Sequence, residues 1–153
     1  MSKKKSYQTS KKSPFIFHFN SGSCNGCDME ILAALSPRFD SGRYGALLQT
    51  SHHHADMLLA TGPVSLREAK TLKKIYNEMP KSKCVIAVGS CGSTGGVFKG
   101  LYNVEDGIDN VIPVDVYIAG CPPRPDEIIE GIKKAIEILE LKHKKNGRKI
   151  GVC

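Results

Sequence analysis

Four cysteines in three separate stretches of the sequence could together bind a metal group. Cys24 and Cys27 form a Cys-x-x-Cys pair among small residues and glycines, Cys91 lies in Gly-Ser-Cys-Gly, and Cys121 lies in Gly-Cys-Pro-Pro. Each stretch follows an apolar run that is typical of a β-strand. Four thiolates can ligate either a [4Fe–4S] cluster or a structural zinc ion, so the residue types indicate a metal centre of one of these two kinds.

The spacing of these cysteines favours an iron–sulfur cluster. Zinc ribbons typically use two close Cys-x-x-Cys pairs, whereas this chain combines one pair with two single cysteines far downstream. A thioredoxin-type Cys-x-x-Cys is a further alternative, but it leaves Cys91 and Cys121 unexplained. Glycine turns can also donate backbone N–H groups to cluster sulfurs. We therefore predict that Cys24, Cys27, Cys91 and Cys121 bind one [4Fe–4S] cluster.

Two further cysteines and a histidine tract are predicted to lie outside this site. Cys84 belongs to an apolar run, where cysteine behaves as a small hydrophobic residue, and Cys153 is the last residue, after a basic segment. The tract His52–His54 resembles a metal-binding sequence. Because it precedes an apolar strand, we interpret it as a structural turn in which His54 caps or pairs with Asp56.

Two acidic residues stand beside the Cys-x-x-Cys pair. Asp28 precedes a short apolar segment over residues 29–35, so we predict that it caps a helix there and interacts with the positive end of the helix dipole. For Glu30 we consider the same structural interpretation and, as an alternative, a role in proton passage or in a subunit contact.

Length, composition and charge indicate one folded domain with basic ends. The 153 residues are 41% hydrophobic and 24% charged, and no apolar run approaches the roughly 20 residues that cross a bilayer. Lysine and arginine account for a net charge of +7 and are frequent near both ends, without the interleaved aromatics of a nucleic-acid-binding surface. We predict a basic flexible tail over residues 1–13, one domain over 14–145, a C-terminal tail over 146–153, a cytoplasmic location and no nucleic-acid partner.

Strand-like and helical patterns alternate along the chain. We predict strands over residues 14–20, 43–50, 56–61, 83–89 and 114–120, helices over 29–35, 65–79 and from 124 onward, and an irregular loop over 92–110. This alternation is typical of an α/β fold with a parallel sheet and right-handed crossovers. Ligands of such sheets bind beyond the carboxyl ends of the strands. The four cysteines of the predicted site should therefore converge on one edge of the sheet.

Several motifs together resemble a known family of redox subunits. They are Cys24–Glu30 (CNGCDME), His54–Asp56 (HAD), Thr61–Val64 (TGPV) and Gly120–Pro125 (GCPPRP). In combination they resemble the small subunit of nickel–iron hydrogenases and the related 20 kDa (PSST) iron–sulfur subunit of respiratory complex I, from residue 14 to about residue 141. The complex I branch carries two adjacent cysteines in the first motif, whereas Cys24 and Cys27 are separated by two residues, so the hydrogenase branch is favoured.

Within that branch, the chain resembles the short small subunits of energy-converting, membrane-bound (Ech-type, group 4) hydrogenases. Uptake hydrogenase small subunits carry a second domain and an export signal that have no counterpart in this sequence. The resemblance implies a flavodoxin-like fold and the same four cysteines as ligands of a single proximal [4Fe–4S] cluster. It also implies that Glu30 faces a large subunit that carries the nickel–iron centre.

The resemblance further implies an electron-transfer function within a membrane complex. Electrons would pass from ferredoxin-like iron–sulfur subunits through the cluster to the nickel–iron centre, coupled to ion translocation by membrane subunits, with this chain peripheral on the inner face of the membrane. One alternative is the equivalent subunit of a complex I-like oxidoreductase that uses a quinone, coenzyme F420 or a sulfur-type acceptor. A second alternative is a zinc-stabilised binding module without redox activity.

Overall fold

A five-stranded parallel sheet forms the centre of the protein. The computed structural model describes residues 13–148, with side chains up to residue 144. The strands in chain order are β1 (Phe15–Asn20), β2 (Leu47–Leu48), β3 (Met57–Thr61), β4 (Val64–Ser65), β5 (Cys84–Val88), β6 (Val104–Glu105) and β7 (Val116–Ile118). The main sheet has the order β2-β1-β3-β5-β7, and β4 pairs with β6 in a separate antiparallel ribbon.

Helices cover both faces of the main sheet. They are α1 (Gly26–Leu35), α2 (Leu66–Glu78), α3 (Gly89–Thr94) and α4 (Pro125–Arg148), with short 3-10 turns between several elements. One hydrophobic core contains side chains of α1, α4 and one sheet face, and a second contains those of α2 and the other face. Every residue of β3 and β5 is buried, as expected for parallel strands that are covered on both sides. The predicted open parallel α/β fold is therefore confirmed.

The second predicted strand, over residues 43–50, is mostly wrong. Residues Ser41–Tyr44 form a 3-10 turn, and only Leu47 and Leu48 pair with β1. Both leucines are 49% exposed because β2 is an edge strand. An edge strand lacks a neighbour on one side, so the apolar pattern that suggested a full strand does not correspond to burial here.

The local structure around the cysteines also differs from the sequence prediction. The first helix begins at Gly26 rather than at residue 29, so Cys27 and Asp28 lie inside its first turn and Asp28 is not its cap residue. Residues 92–110 are more ordered than predicted, because α3 occupies their start and places Cys91 on a helix rather than in a turn.

Further predictions concern the ends of the chain. Helix α4 continues to Arg148, beyond the domain limit predicted at residue 145. Residues 1–12 and 149–153, with Cys153 and most of the two predicted tails, lie outside the described residues. Within the described range, none of the helices is long and apolar enough to cross a membrane.

Candidate metal centre

The four predicted cysteine ligands surround one cavity at the carboxyl edge of the sheet. The cavity has a volume of about 170 Å³ and is lined by Ser23, Cys24, Gly26, Cys27, Gly62, Ser90, Cys91, Gly120, Cys121 and Pro122. These residues follow the ends of β1, β3, β5 and β7. Parallel strands all end at the same edge of a sheet, and this polarity brings together thiols that are remote in sequence.

The Cys24–Cys27 segment is held by a tight turn after β1. The Asn20 side-chain oxygen accepts hydrogen bonds from the backbone N–H groups of Gly22 and Ser23, at 2.8 Å each. The chain then reverses through Asn25, whose φ of 68° is left-handed, a conformation that asparagine tolerates better than most residues. Cys24 is thus presented on the turn, and Cys27 on the first turn of α1.

The Asp28 carboxylate joins the start of α1 to the ends of two strands. It accepts hydrogen bonds from Thr61 Oγ1 at 2.6 Å, from Asn20 Nδ2 at 2.8 Å and from the Ser23 hydroxyl, and its Oδ1 lies 2.7 Å from His18 Nε2. Burial alone would raise the pKa of Asp28, but the hydrogen bonds from Ser23 and Thr61 and the proximity of His18 lower it. Asp28 therefore stays ionised and fixes the Cys-x-x-Cys helix on the sheet.

We predict that Asp28→Ala lowers the free energy of unfolding by about 2 kcal/mol, because it leaves polar partners at a largely buried carboxylate without an acceptor. The side chain of Asp28 is 13% exposed. Asp126→Ala is the matched control, since Asp126 occupies the first turn of α4 and is exposed. It should cost only about 0.5 kcal/mol from the helix dipole. Chemical denaturation of both variants measures the difference, and equal losses would contradict this role of Asp28.

The segments that carry Cys91 and Cys121 are bonded directly to each other. The Gly120 carbonyl oxygen accepts hydrogen bonds from the Ser90 backbone N–H at 2.8 Å and from Ser90 Oγ at 3.1 Å. Ser90 precedes Cys91, and Gly120 precedes Cys121. One carbonyl therefore joins the two segments that carry these thiols, after the ends of β5 and β7.

The thiols lie close enough to disfavour one another's ionisation. Burial raises the pKa of Cys27 to about 11, with further contributions from the charges of Cys91, Asp28, Cys24 and Cys121. The pKa of Cys91 is also raised, first by burial and then by Cys121 and Cys24. Four crowded thiolates need a compensating positive charge. The donor set and the cavity thus fit a cationic metal group.

The remaining candidates do not line this cavity. Cys84 is fully buried on β5, where burial and then the neighbouring Asp115 raise its pKa to about 12. Glu30 is half-buried on α1 and is not among the residues that line the cavity. The structure does not show the predicted pairing of His54 with Asp56. His54 is exposed, and Asp56 Oδ2 instead accepts a hydrogen bond from the Phe15 N–H at 3.1 Å.

Three residues that support the site were not predicted from the sequence. His18 and Thr61 belong to strands, and Ser90 belongs to a short helix. Their hydrogen-bond partners lie between 10 and 43 positions away in the sequence. Ser90, for example, bonds to Gly120, and Thr61 bonds to Asp28. Asn20 carried a usable signal, because an asparagine before Ser-Gly-Ser is typical of an Asx turn.

Comparisons with known proteins identify the relatives of this chain. Residues 24–135 match the family described as NADH ubiquinone oxidoreductase, 20 kDa subunit. A probable membrane-bound hydrogenase subunit, mbhJ, of Pyrococcus furiosus is 49% identical over 128 residues, which cover 84% of this chain and 77% of that protein. Formate hydrogenlyase subunit 7 of Escherichia coli is 42% identical over 86% of this chain, which spans about half (52%) of that protein.

A solved structure supports both the fold and the relationship. The membrane-bound sulfane sulfur reductase, an archaeal respiratory membrane complex, contains a chain that is 38% identical with a TM-score of 0.75, covering 87% of this chain and 73% of that one. The predicted resemblance to hydrogenase and complex I subunits is confirmed, as is the prediction of an oxidoreductase subunit at the level of the family. The chain belongs to the 20 kDa subunit family of NADH ubiquinone oxidoreductase, which here includes subunits of membrane-bound hydrogenases.

Proposed function

We propose that this protein is the electron-transfer small subunit of a membrane-associated oxidoreductase complex, and that Cys24, Cys27, Cys91 and Cys121 bind one [4Fe–4S] cluster. The observation that carries the proposal is the single cavity that these four thiols line at the carboxyl edge of the sheet. When bound, such a cluster supplies one-electron transfer.

The size of the cavity favours a cluster over a single zinc ion. Zinc bonds thiolate sulfur at about 2.3 Å, which places four tetrahedral ligand sulfurs roughly 3.8 Å apart. Among the described side chains, residues 13–144, the three potential ligand atoms that lie within 4.8 Å of one another belong to His52, His53 and Glu78, not to the cysteines. A cavity of about 170 Å³ between the thiols also far exceeds the space that one ion needs.

The residues of the chain hold the four thiols and limit their motion. Ser90 and the Gly120 carbonyl join the Cys91 and Cys121 segments, and Asp28 with Thr61 joins the Cys27 helix to β3. Ligands that are fixed on a rigid sheet need little rearrangement when charge changes, which suits an electron carrier.

Within this proposal, the complex is an energy-converting nickel–iron hydrogenase. Ferredoxin-like subunits deliver electrons, a large subunit carries the nickel–iron centre, and membrane subunits translocate ions, with this chain peripheral on the inner membrane face. The similarity to a membrane-bound hydrogenase subunit and to a formate hydrogenlyase subunit supports this. In this proposal Glu30, which lies on the same helix as Cys27, contacts the large subunit and takes part in proton passage.

Metal analysis of anaerobically prepared protein tests the cofactor. We expect about four irons and four acid-labile sulfides per chain, and an S = 1/2 electron paramagnetic resonance signal after reduction with dithionite. One zinc per chain and no iron, in material never exposed to air, would instead support the zinc-stabilised binding module.

A specific observation favours a second candidate, a complex with a sulfur-type acceptor. The solved structure with a TM-score of 0.75 is a sulfane sulfur reductase. Purification of the complex through an affinity tag on this chain, expressed in its own host, distinguishes the two. Nickel in the complex and H2-dependent reduction of viologen are expected for a hydrogenase. Reduction of polysulfide by reduced ferredoxin, without nickel, would replace that assignment with the second candidate.

A further inference from the structure

The histidine tract forms a second group of potential metal ligands, far from the four cysteines. His52, His53 and Glu78 each bring one ligand atom within 4.8 Å of the others. His52 Nε2 lies 2.8 Å from Glu78 Oε2, and the rings of His52 and His53 are 4.2 Å apart between centroids. Two imidazoles and one carboxylate are a ligand set that binds zinc with one position left open.

This group is preorganised by the elements that carry it. His52 and His53 lie in a 3-10 turn that precedes β3, and Glu78 is the last residue of α2, which precedes β5. The ring of Phe17 contacts His52 edge-on, with centroids 5.6 Å apart, and therefore orients its imidazole. An ion bonded to both His52 Nε2 and Glu78 Oε2 at about 2.1 Å needs these atoms roughly 3.4 Å apart. They are 2.8 Å apart, so the required shift is only about 0.6 Å.

The surroundings leave the group accessible to an ion. His53 and Glu78 are exposed and His52 is half-buried. Lys74 Nζ lies 4.0 Å from Glu78 Oε1. The oxygen of Glu78 that faces His52 is Oε2, so Lys74 does not occupy the position of the ion. Because the tract comes before β3 and the cysteine cavity follows it, the length of this five-residue strand separates the two sites by roughly 15 Å.

We propose that His52, His53 and Glu78 form a surface site for a divalent transition-metal ion of the zinc class, in which water completes the coordination. The ion replaces the direct hydrogen bond between His52 and Glu78 and joins the turn before β3 to the end of α2. Imidazole nitrogen with a carboxylate oxygen suits Zn²⁺ better than Mg²⁺ or Ca²⁺, so the site discriminates between these classes of ion.

The proposal is tested by titrating zinc into the protein that carries its iron–sulfur cluster, under anaerobic conditions and in competition with a chromophoric chelator. We expect the wild type to bind one Zn²⁺ without loss of iron. His53→Ala and Glu78→Gln should weaken this binding at least about tenfold. His54→Ala is the matched control, because His54 belongs to the same tract but not to the ligand group, and it should bind zinc as the wild type does.

Zinc K-edge X-ray absorption separates this site from the cysteines. We expect a shell of nitrogen and oxygen at about 2.0–2.1 Å and no sulfur at about 2.3 Å. A sulfur shell, an unchanged affinity in His53→Ala, or an equal loss in His54→Ala would overturn the proposal. Thermal unfolding with and without Zn²⁺ shows that each variant is folded, and only proteins with the intact site should gain stability from the ion.

Discussion

The Cys91→Ser variant is expected to lose the proposed [4Fe–4S] cluster. Cys91 lies on α3 and lines the cavity together with the three other cysteines. Serine offers a hydroxyl oxygen in place of a soft thiolate, and iron–sulfur clusters favour the thiolate. Iron should fall clearly below about four atoms per chain, and the electron paramagnetic resonance signal of the reduced protein should disappear or change.

Cys84→Ser is the control for this prediction. Cys84 is fully buried on β5, outside the cavity, and its thiol interacts with Asp115, which can also accept a hydrogen bond from a serine hydroxyl. The variant should keep its iron, its sulfide and its spectrum, with a modest loss of stability because a hydroxyl is costlier to bury than a thiol. Loss of the cluster in Cys84→Ser together with its retention in Cys91→Ser would reverse the ligand assignment.

The Gly89→Ala variant is expected to displace Cys27 and to lose most of its iron. Gly89 has a φ of +86°, and a Cβ at this position would lie 2.5 Å from Cys27 Sγ. The backbone conformation alone costs a residue with a side chain about 1–3 kcal/mol. The steric overlap acts in addition on a predicted ligand atom, and the Cys27 thiol must leave its present position.

Gly100→Ala separates the two effects. Gly100 has a similar φ of +79°, but a Cβ added there meets nothing within 4 Å. This variant should pay only for backbone strain, with a lowered melting temperature and full iron content. If both variants kept their iron, the Cβ added at Gly89 would not displace Cys27 Sγ enough to disturb cluster binding. If both lost it, backbone strain rather than displacement of the thiol would be the cause.

The sequence predicted the parts of this protein that depend on local pattern and strand polarity. The strands β1, β3 and β5 and the convergence of Cys24, Cys27, Cys91 and Cys121 on one edge follow from apolar runs and from the direction of parallel strands. The second strand was overestimated because an edge strand has the same composition as a buried one.

Contacts between remote residues could not be predicted in the same way. Asp28 has the composition signal of a helix cap, but its partners His18 and Thr61 come from two different strands. The histidine tract carried a metal-binding signal, yet the carboxylate that completes the group, Glu78, lies 26 positions after His52. A one-dimensional pattern contains no information about which distant acid a turn will meet.

The position of the four cysteines along the chain has a consequence for how the protein matures. The cavity joins residues near position 24 with a residue at position 121, so a bound cluster acts as a cross-link that closes most of the chain into loops. A cross-link between remote positions removes much of the conformational freedom of the unfolded chain. During synthesis, Cys121 emerges only after β7, so the metal-binding site can be completed only when all five strands of the main sheet have been made.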